Sequence, residues 1–177
     1  MLAGTWMKDI ETAAGVSPEA RDPAIEVQHL FDLYGAALFR FACSLVANAA
    51  DGEDIVQDTF LKLQRHLQAG GDRSNLRAWL FAVAANACRD RSRWRLRWLP
   101  WRAELDTRSV DAEDEAPDRR RARASFVALA PRDRLLLSLR AQGLSYREIA
   151  AAAGIAEASV GRLLARAVDR WKTRLNS

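Results

Sequence analysis

Cysteine, methionine, tyrosine and histidine each occur only twice in the 177 residues, and each scarcity closes off a class of protein. Two cysteines cannot staple a disulfide scaffold. Cys43 and Cys88 both fall on apolar helix positions, which reads as small buried hydrophobes in a reducing, cytoplasmic compartment. Together with His29 and His66 they show no zinc-ligand spacing, so neither metal nor cofactor is expected. No uninterrupted run of about 18 apolar residues is present, and no membrane span is expected. The opening MLAGTWMKDIETAAG carries acids and lacks an apolar core segment, unlike a secretory signal. There is no phosphate-cradling glycine loop, no nucleophile–base pair and no carboxylate cluster with metal spacing, so an enzyme is not expected.

What is present is charge and helical periodicity. The net charge is +4 and the sequence pI about 9.6, a balance that suits a polyanionic partner. The apolar content of 49% is ample for a core, and the length allows one domain or two small ones.

The most informative stretch lies near the C-terminus, at LSYREIAAAAGIAEASVGRLLARAVDRW. Ser145 followed by Glu148 makes a capping box. Ile149, Ala150 and Ala153 form a short buried face, and Gly154 falls where a helix must end with positive φ. Ile155 plugs the corner. A second helix follows, with Val160, Leu163, Leu164, Ala167 and Trp171 at three- and four-residue steps. This is a helix-turn-helix pattern. Ser159 opens the second helix, and Arg162, Arg166 and Arg170 recur every fourth residue on its other face. Such a face suits a DNA major groove; it is equally the solvated side of an ordinary helical hairpin.

The remaining segments read in order as follows. Residues 1–24, with SPEARDP, form a weakly ordered tail. Residues 24–47 make an amphipathic helix through Val27, Leu30, Tyr34, Leu38, Phe41 and Leu45. Asn48 ends it, and Asp51 caps the next helix. That helix buries Val56, Thr59, Phe60, Leu63 and Leu67. Its second face carries Asp54, Gln57, Asp58 and Leu61, which serves either solubility or docking of another protein. QAGGDRSN is a loop, and Ser74 or Asn75 caps a third helix through Leu76, Trp79, Leu80, Val83, Ala84, Ala87 and Cys88. Asn86 lies on its polar face.

The third helix runs into RDRSRWRLRWLPWR. Arg89, Arg91 and Arg93 suit phosphates. Trp94, Trp98 and Trp101 either stack on unpaired bases or pack against the protein. The charge then reverses in AELDTRSVDAEDEAPD, which has no periodic apolar face and reads as a flexible linker. Short helices carrying Phe126 and Leu129, and then Leu135, Leu136 and Leu139 after Pro131, lead into the helix-turn-helix, with Gly143 as the stop. The fold class is all-α: two small helical domains at 25–102 and 119–177, a tail at 1–24 and an acidic linker at 103–118.

Two blocks in this order resemble the extracytoplasmic-function (group 4) alternative sigma factors of bacterial RNA polymerase. The first block holds DGEDIVQDTFLKL, similar to the family's D-x-E-D-hydrophobic-V-Q-D/E-x-F, and AWLFAVAANACRDRSR, similar to A-W-L-x-x-I-A-x-N-x-x-x-D. The second holds GLSYREIAAAAGI and SVGRLLARA. The resemblance implies that residues 25–102 act as region 2. There Asp54, Gln57, Asp58 and Leu61 would dock the clamp coiled coil of core polymerase, and Asn75, Asn86, Arg89, Arg91 and Arg93 would engage the minus-ten element. An Asn amide at 86 can donate to and accept from the edge of a flipped base. Trp79 matches a family Trp and is read as core.

The resemblance further implies a region 4 at 119–177 that touches the polymerase flap, with Ser159, Arg162, Arg166 and Arg170 on the minus-thirty-five element. An anti-sigma protein is the other implied partner. The sequence departs from the family's T-V-K/R-S-R at Gly161 and Leu163, so the promoter sequence does not carry over. A free-standing dimeric helix-turn-helix regulator is the alternative. It leaves the Asp54–Leu61 face and the Arg/Trp run without a role.

Overall fold

The computed structural model describes residues 22–46, 48–98 and 116–176, with the side chains of residues 92–98 excepted. Among the described residues every element is helical, in agreement with the all-α expectation: α1 (Pro23–Val46), α2 (Ala49–Gln68), α3 (Leu76–Trp98), α4 (Pro117–Val127), α5 (Pro131–Ala141), α6 (Tyr146–Ala153) and α7 (Glu157–Leu175).

The first helix begins at Pro23, inside the stretch expected to be tail, because a proline at the first helical position sacrifices no hydrogen bond. α1 buries Leu30, Leu38, Phe41 and Leu45. By length and composition it is apolar enough to cross a membrane, a property that the criterion of an unbroken apolar run does not register. In the fold its stripe is spent on α2 and α3, and Phe41 meets Phe81 edge-on at 5.3 Å.

The cap of α2 is Asn48, not Asp51. Asn48 has extended backbone (φ −147°), and its side chain accepts from the Asp51 N–H at 3.2 Å. Asp51 therefore sits in the first helical turn, where a carboxylate meets the positive end of the helix dipole. The expected stripe Val56, Thr59, Phe60, Leu63 and Leu67 is buried. Asn75 caps α3, its Oδ1 accepting from the Ala78 N–H at 3.1 Å. Ser74 instead turns back to Asp72.

In the second half, Pro117 and Pro131 open α4 and α5. The helix at Pro117 takes the last two residues of the expected linker, and Asp118 complements its N-terminus. Trp171 of α7 donates to the Ser125 hydroxyl at 2.9 Å and packs edge-on against Phe126, which clamps α4. Ala152, rather than Ala153, is the fully buried small residue of α6.

The two halves touch. α5 lies on α1, and α6 on α3. Leu136, Leu139, Leu144 and Ile149 join one continuous apolar cluster with Leu38, Leu80 and Ala84. Polar links also cross the seam. The Ser44 and Ser138 hydroxyls are 3.1 Å apart, Arg89 Nη2 donates to the Ala152 carbonyl at 2.8 Å, and the Asn75 amide donates to Glu148. This seam explains why Ala85, off the expected stripe of α3, is buried: α3 is covered on two sides.

Candidate nucleic-acid interface

The helix-turn-helix forms as its local chemistry requires. Ser145 Oγ accepts from the Glu148 N–H at 3.3 Å, and the Glu148 carboxylate accepts from the Ser145 N–H at 2.6 Å. This reciprocal box holds the Glu148 carboxyl below the usual carboxylate range, chiefly through the Ser145 N–H and further through Asn75. Gly154 ends α6 in the left-handed region, φ 66° and ψ 43°, where a side chain is strained. α7 buries Val160, Leu164 and Ala167 against α5 and α6.

The three arginines at four-residue spacing do not share one environment. Arg162 and Arg166 are exposed and hold no hydrogen bond or ion pair among the described residues. Arg170 is bound within the protein. Its Nε and Nη2 donate to the buried Asp133 carboxylate at 2.7 and 2.8 Å, a bidentate pair between α7 and α5. Of the three arginines expected on one face, two have no partner among the described residues and the third is paired with Asp133. The reason is tertiary: α5 brings a carboxylate to the side of α7 that a helical wheel leaves open. Ser159 is half-buried at the start of α7.

Gly161, the departure from the family pattern, has a packing role. A Cβ there would stand 3.3 Å from Tyr146 Cε2. Tyr146 leans over the start of α7, and Arg140 lies over its ring with Cζ 5.7 Å from the centroid.

In the first half, Asn86 is exposed on α3. Asn75 is engaged twice, as the cap of α3 and as the donor to Glu148. Arg89 is held by the Ala152 carbonyl. Arg91 donates to Asp51 and Asp54 at 2.8 and 2.7 Å, and these two carboxylates raise its pKa above the ordinary arginine value. The side chains of Arg93, Trp94 and Trp98, and all of Trp101, lie outside the described residues. Trp79 is half-buried and stacks on His66, with centroids 4.8 Å apart. His66 Nε2 also lies 2.9 Å from the Asp72 carbonyl oxygen, which shapes the loop before α3.

Asp54, Gln57, Asp58 and Leu61 are all exposed along α2. Gln57 and Leu61 border an open cleft of about 760 Å³ between α1 and α2, walled by Phe31, Phe39 and Phe60. Phe31, 48% exposed, meets Phe60 edge-on at 5.1 Å and adds an apolar surface to this cleft that the sequence reading did not single out. Phe31 falls in phase with the buried Gly35 and Leu38, one and two turns on, so the periodicity of α1 carries no signal of its exposure. Among the described residues no group of three His, Cys, Asp or Glu side chains could hold a metal ion.

The described residues form two helical modules, one with an acidic-apolar face beside a cleft and one a helix-turn-helix with exposed arginines on its second helix. Comparison with known proteins gives the family. The Sigma-70 region 2 family matches residues 30–98, and the Sigma-70, region 4 family matches residues 119–170. The chain is 30% identical over 146 residues to the ECF RNA polymerase sigma factor EcfG of Rhodopseudomonas palustris, covering 80% of this chain and 78% of that protein. The chain belongs to the ECF sigma-factor family.

It is also 41% identical over 81 residues to the ECF RNA polymerase sigma factor SigL of Mycobacterium tuberculosis, covering 45% of this chain; the match spans 46% of SigL, about half its length. The fold is similar to that of the sigma factor RpoE of Bartonella quintana, solved in complex with the anti-sigma factor NepR. That match has a TM-score of 0.73 and 26% identity and covers 85% of this chain and 97% of that one. CnrH, solved with the cytosolic domain of CnrY, shares the fold at a TM-score of 0.62 and 24% identity, covering 86% and 89% of the two chains.

Proposed function

We propose that this chain is a cytoplasmic group 4 alternative sigma factor that binds core RNA polymerase and directs promoter-specific initiation. The observation that carries this reading is the pairing, in one chain, of two exposed surfaces on modules that match regions 2 and 4. One is the α2 face with Gln57, Asp58 and Leu61. The other is the α7 face with Arg162 and Arg166. In this reading residues 25–102 dock the clamp coiled coil and open the minus-ten element. The acidic segment 103–118 tethers residues 119–177, which reach the flap and the minus-thirty-five element. Asn86 faces an unpaired base, and Arg89, Arg91 and Arg93 follow the backbone. Phosphate contacts of this kind give affinity that falls with salt. The chain itself makes and breaks no covalent bond; the polymerase does.

Asn75 and Arg89 are held against α6 in the closed arrangement, so their use on DNA requires the two modules to part. An anti-sigma protein is the proposed regulator, as the complexes formed by RpoE and CnrH suggest. The test is reconstitution. Core polymerase plus this chain, given genomic promoter fragments, is expected to yield discrete starts that share an upstream motif pair. Asp58→Ala with Leu61→Ala is expected to abolish those starts by weakening core binding while leaving the melting temperature unchanged. A symmetric footprint on DNA without polymerase would replace this reading with the dimeric regulator.

A further inference from the structure

A second cavity, of about 450 Å³, lies on the seam between the two halves. Its apolar wall comes from Leu45 of α1, Ala85 of α3, Leu135 of α5 and Ile155 of the turn before α7. Three arginines also line it, Arg89, Arg132 and Arg134, and among the described residues no aspartate or glutamate does. Arg89 is satisfied by the Ala152 carbonyl. Arg134 is not: its Nε is buried without a hydrogen-bond partner. Burial pushes the Arg134 guanidinium below its ordinary pKa, the response of a cation that has lost water and gained no counter-charge.

An unpaired buried donor is costly, because folding has removed its water without replacement. An anion in the cavity would not reach that nitrogen, which is closed to solvent, but it would bring the counter-charge that the Arg134 guanidinium lacks. The volume falls in the range of small-molecule sites, and the lining has their composition: mostly apolar, with a few polar groups at one side.

We propose that this seam cavity is a binding site for a small amphipathic anion. The apolar body lies between Leu45, Leu135 and Ile155, and a carboxylate or phosphate head is held by Arg134 and Arg132. The site is built from both halves of the chain, so it exists only when they are closed. Its occupant therefore favours the closed arrangement by mass action. At ten times its dissociation constant the closed-to-open ratio rises about elevenfold. This site does not depend on the sigma-factor reading, and its test reads binding alone.

The test titrates the full chain with octanoate and with octyl phosphate, below their micelle concentrations, and follows methyl NMR shifts of Leu45, Leu135 and Ile155. Octanamide is the uncharged comparison. Saturable shifts with one or both anions, and none with octanamide, are expected; the stronger of the two identifies the head group. Arg134→Met is expected to raise the dissociation constant at least about tenfold, the loss expected for a charge-assisted contact. Its melting temperature should be unchanged or higher, because no partner is lost. Arg132→Gln, at an exposed position, is expected to weaken binding several-fold without touching the core. Equal binding of octanamide, undiminished binding by Arg134→Met, or no saturable shift with either anion would overturn the proposal.

Discussion

Arg91 of α3 and Asp54 of α2 lie 2.7 Å apart, Nη2 to Oδ2, and the same guanidinium reaches Asp51. A residue assigned by resemblance to promoter DNA is thus paired with one assigned to the polymerase clamp. The two carboxylates differ in exposure, 61% for the Asp54 side chain and 16% for Asp51. A double-mutant cycle should therefore return a larger coupling for Arg91 with Asp51, about 1 kcal/mol, than with Asp54, below about 0.5 kcal/mol after solvent screening. Urea denaturation of the Arg91→Met, Asp51→Asn and Asp54→Asn variants and their doubles measures both.

Arg170 and Arg166 occupy the same face of α7 by spacing and separate by partner. Arg170→Ala leaves the Asp133 carboxylate buried without its counter-charge, and loss of one member of such a pair destabilises. Its melting temperature should fall. Arg166→Ala should leave the melting temperature unchanged and, as proposed above, lower affinity for upstream-element DNA. Thermal denaturation and a DNA-binding titration on the two variants separate the roles; equal thermal stability would place Arg170 beside Arg166 on the DNA.

The capping box makes stability depend on pH in a fixed direction. Glu148 has its folded-state pKa below its unfolded value. Its contribution is therefore fully present above the unfolded pKa and is lost as pH falls through the folded one. Glu148→Gln should melt below the wild-type chain at neutral pH, and the difference should shrink as the pH is lowered below about 4.3, the ordinary Glu value. Melting curves across the acid range test this.

Gly154→Ala places a methyl group on a residue at φ 66°. No atom would meet the added Cβ within 4 Å, so the cost is backbone strain alone, about 1–2 kcal/mol. Chemical denaturation should show this loss with an unchanged slope against urea.

Much of the architecture was legible in the chain. The stripe Val56, Thr59, Phe60, Leu63 and Leu67, the Ser145–Glu148 box and the left-handed Gly154 are each written within about three helical turns. Periodicity and capping act over those same distances. The order of the two blocks was legible for the same reason, since each is a local pattern. The cap of α2 was misplaced by three residues because Asn48 and Asp51 are both good caps, and the backbone conformation chose between them.

The partners of the arginine side chains were decided by tertiary structure alone. Arg91 meets Asp54 across 37 residues, Arg170 meets Asp133 across 37, and Arg89 meets the Ala152 carbonyl across 63. Helical spacing says which side of a helix an arginine occupies. It does not say which other helix will lie there. That is set by how the apolar stripes of α1, α3, α5 and α6 pack into one core, and the packing then dictates which guanidiniums are paired, which face solvent, and that the Nε of Arg134 is buried without a partner.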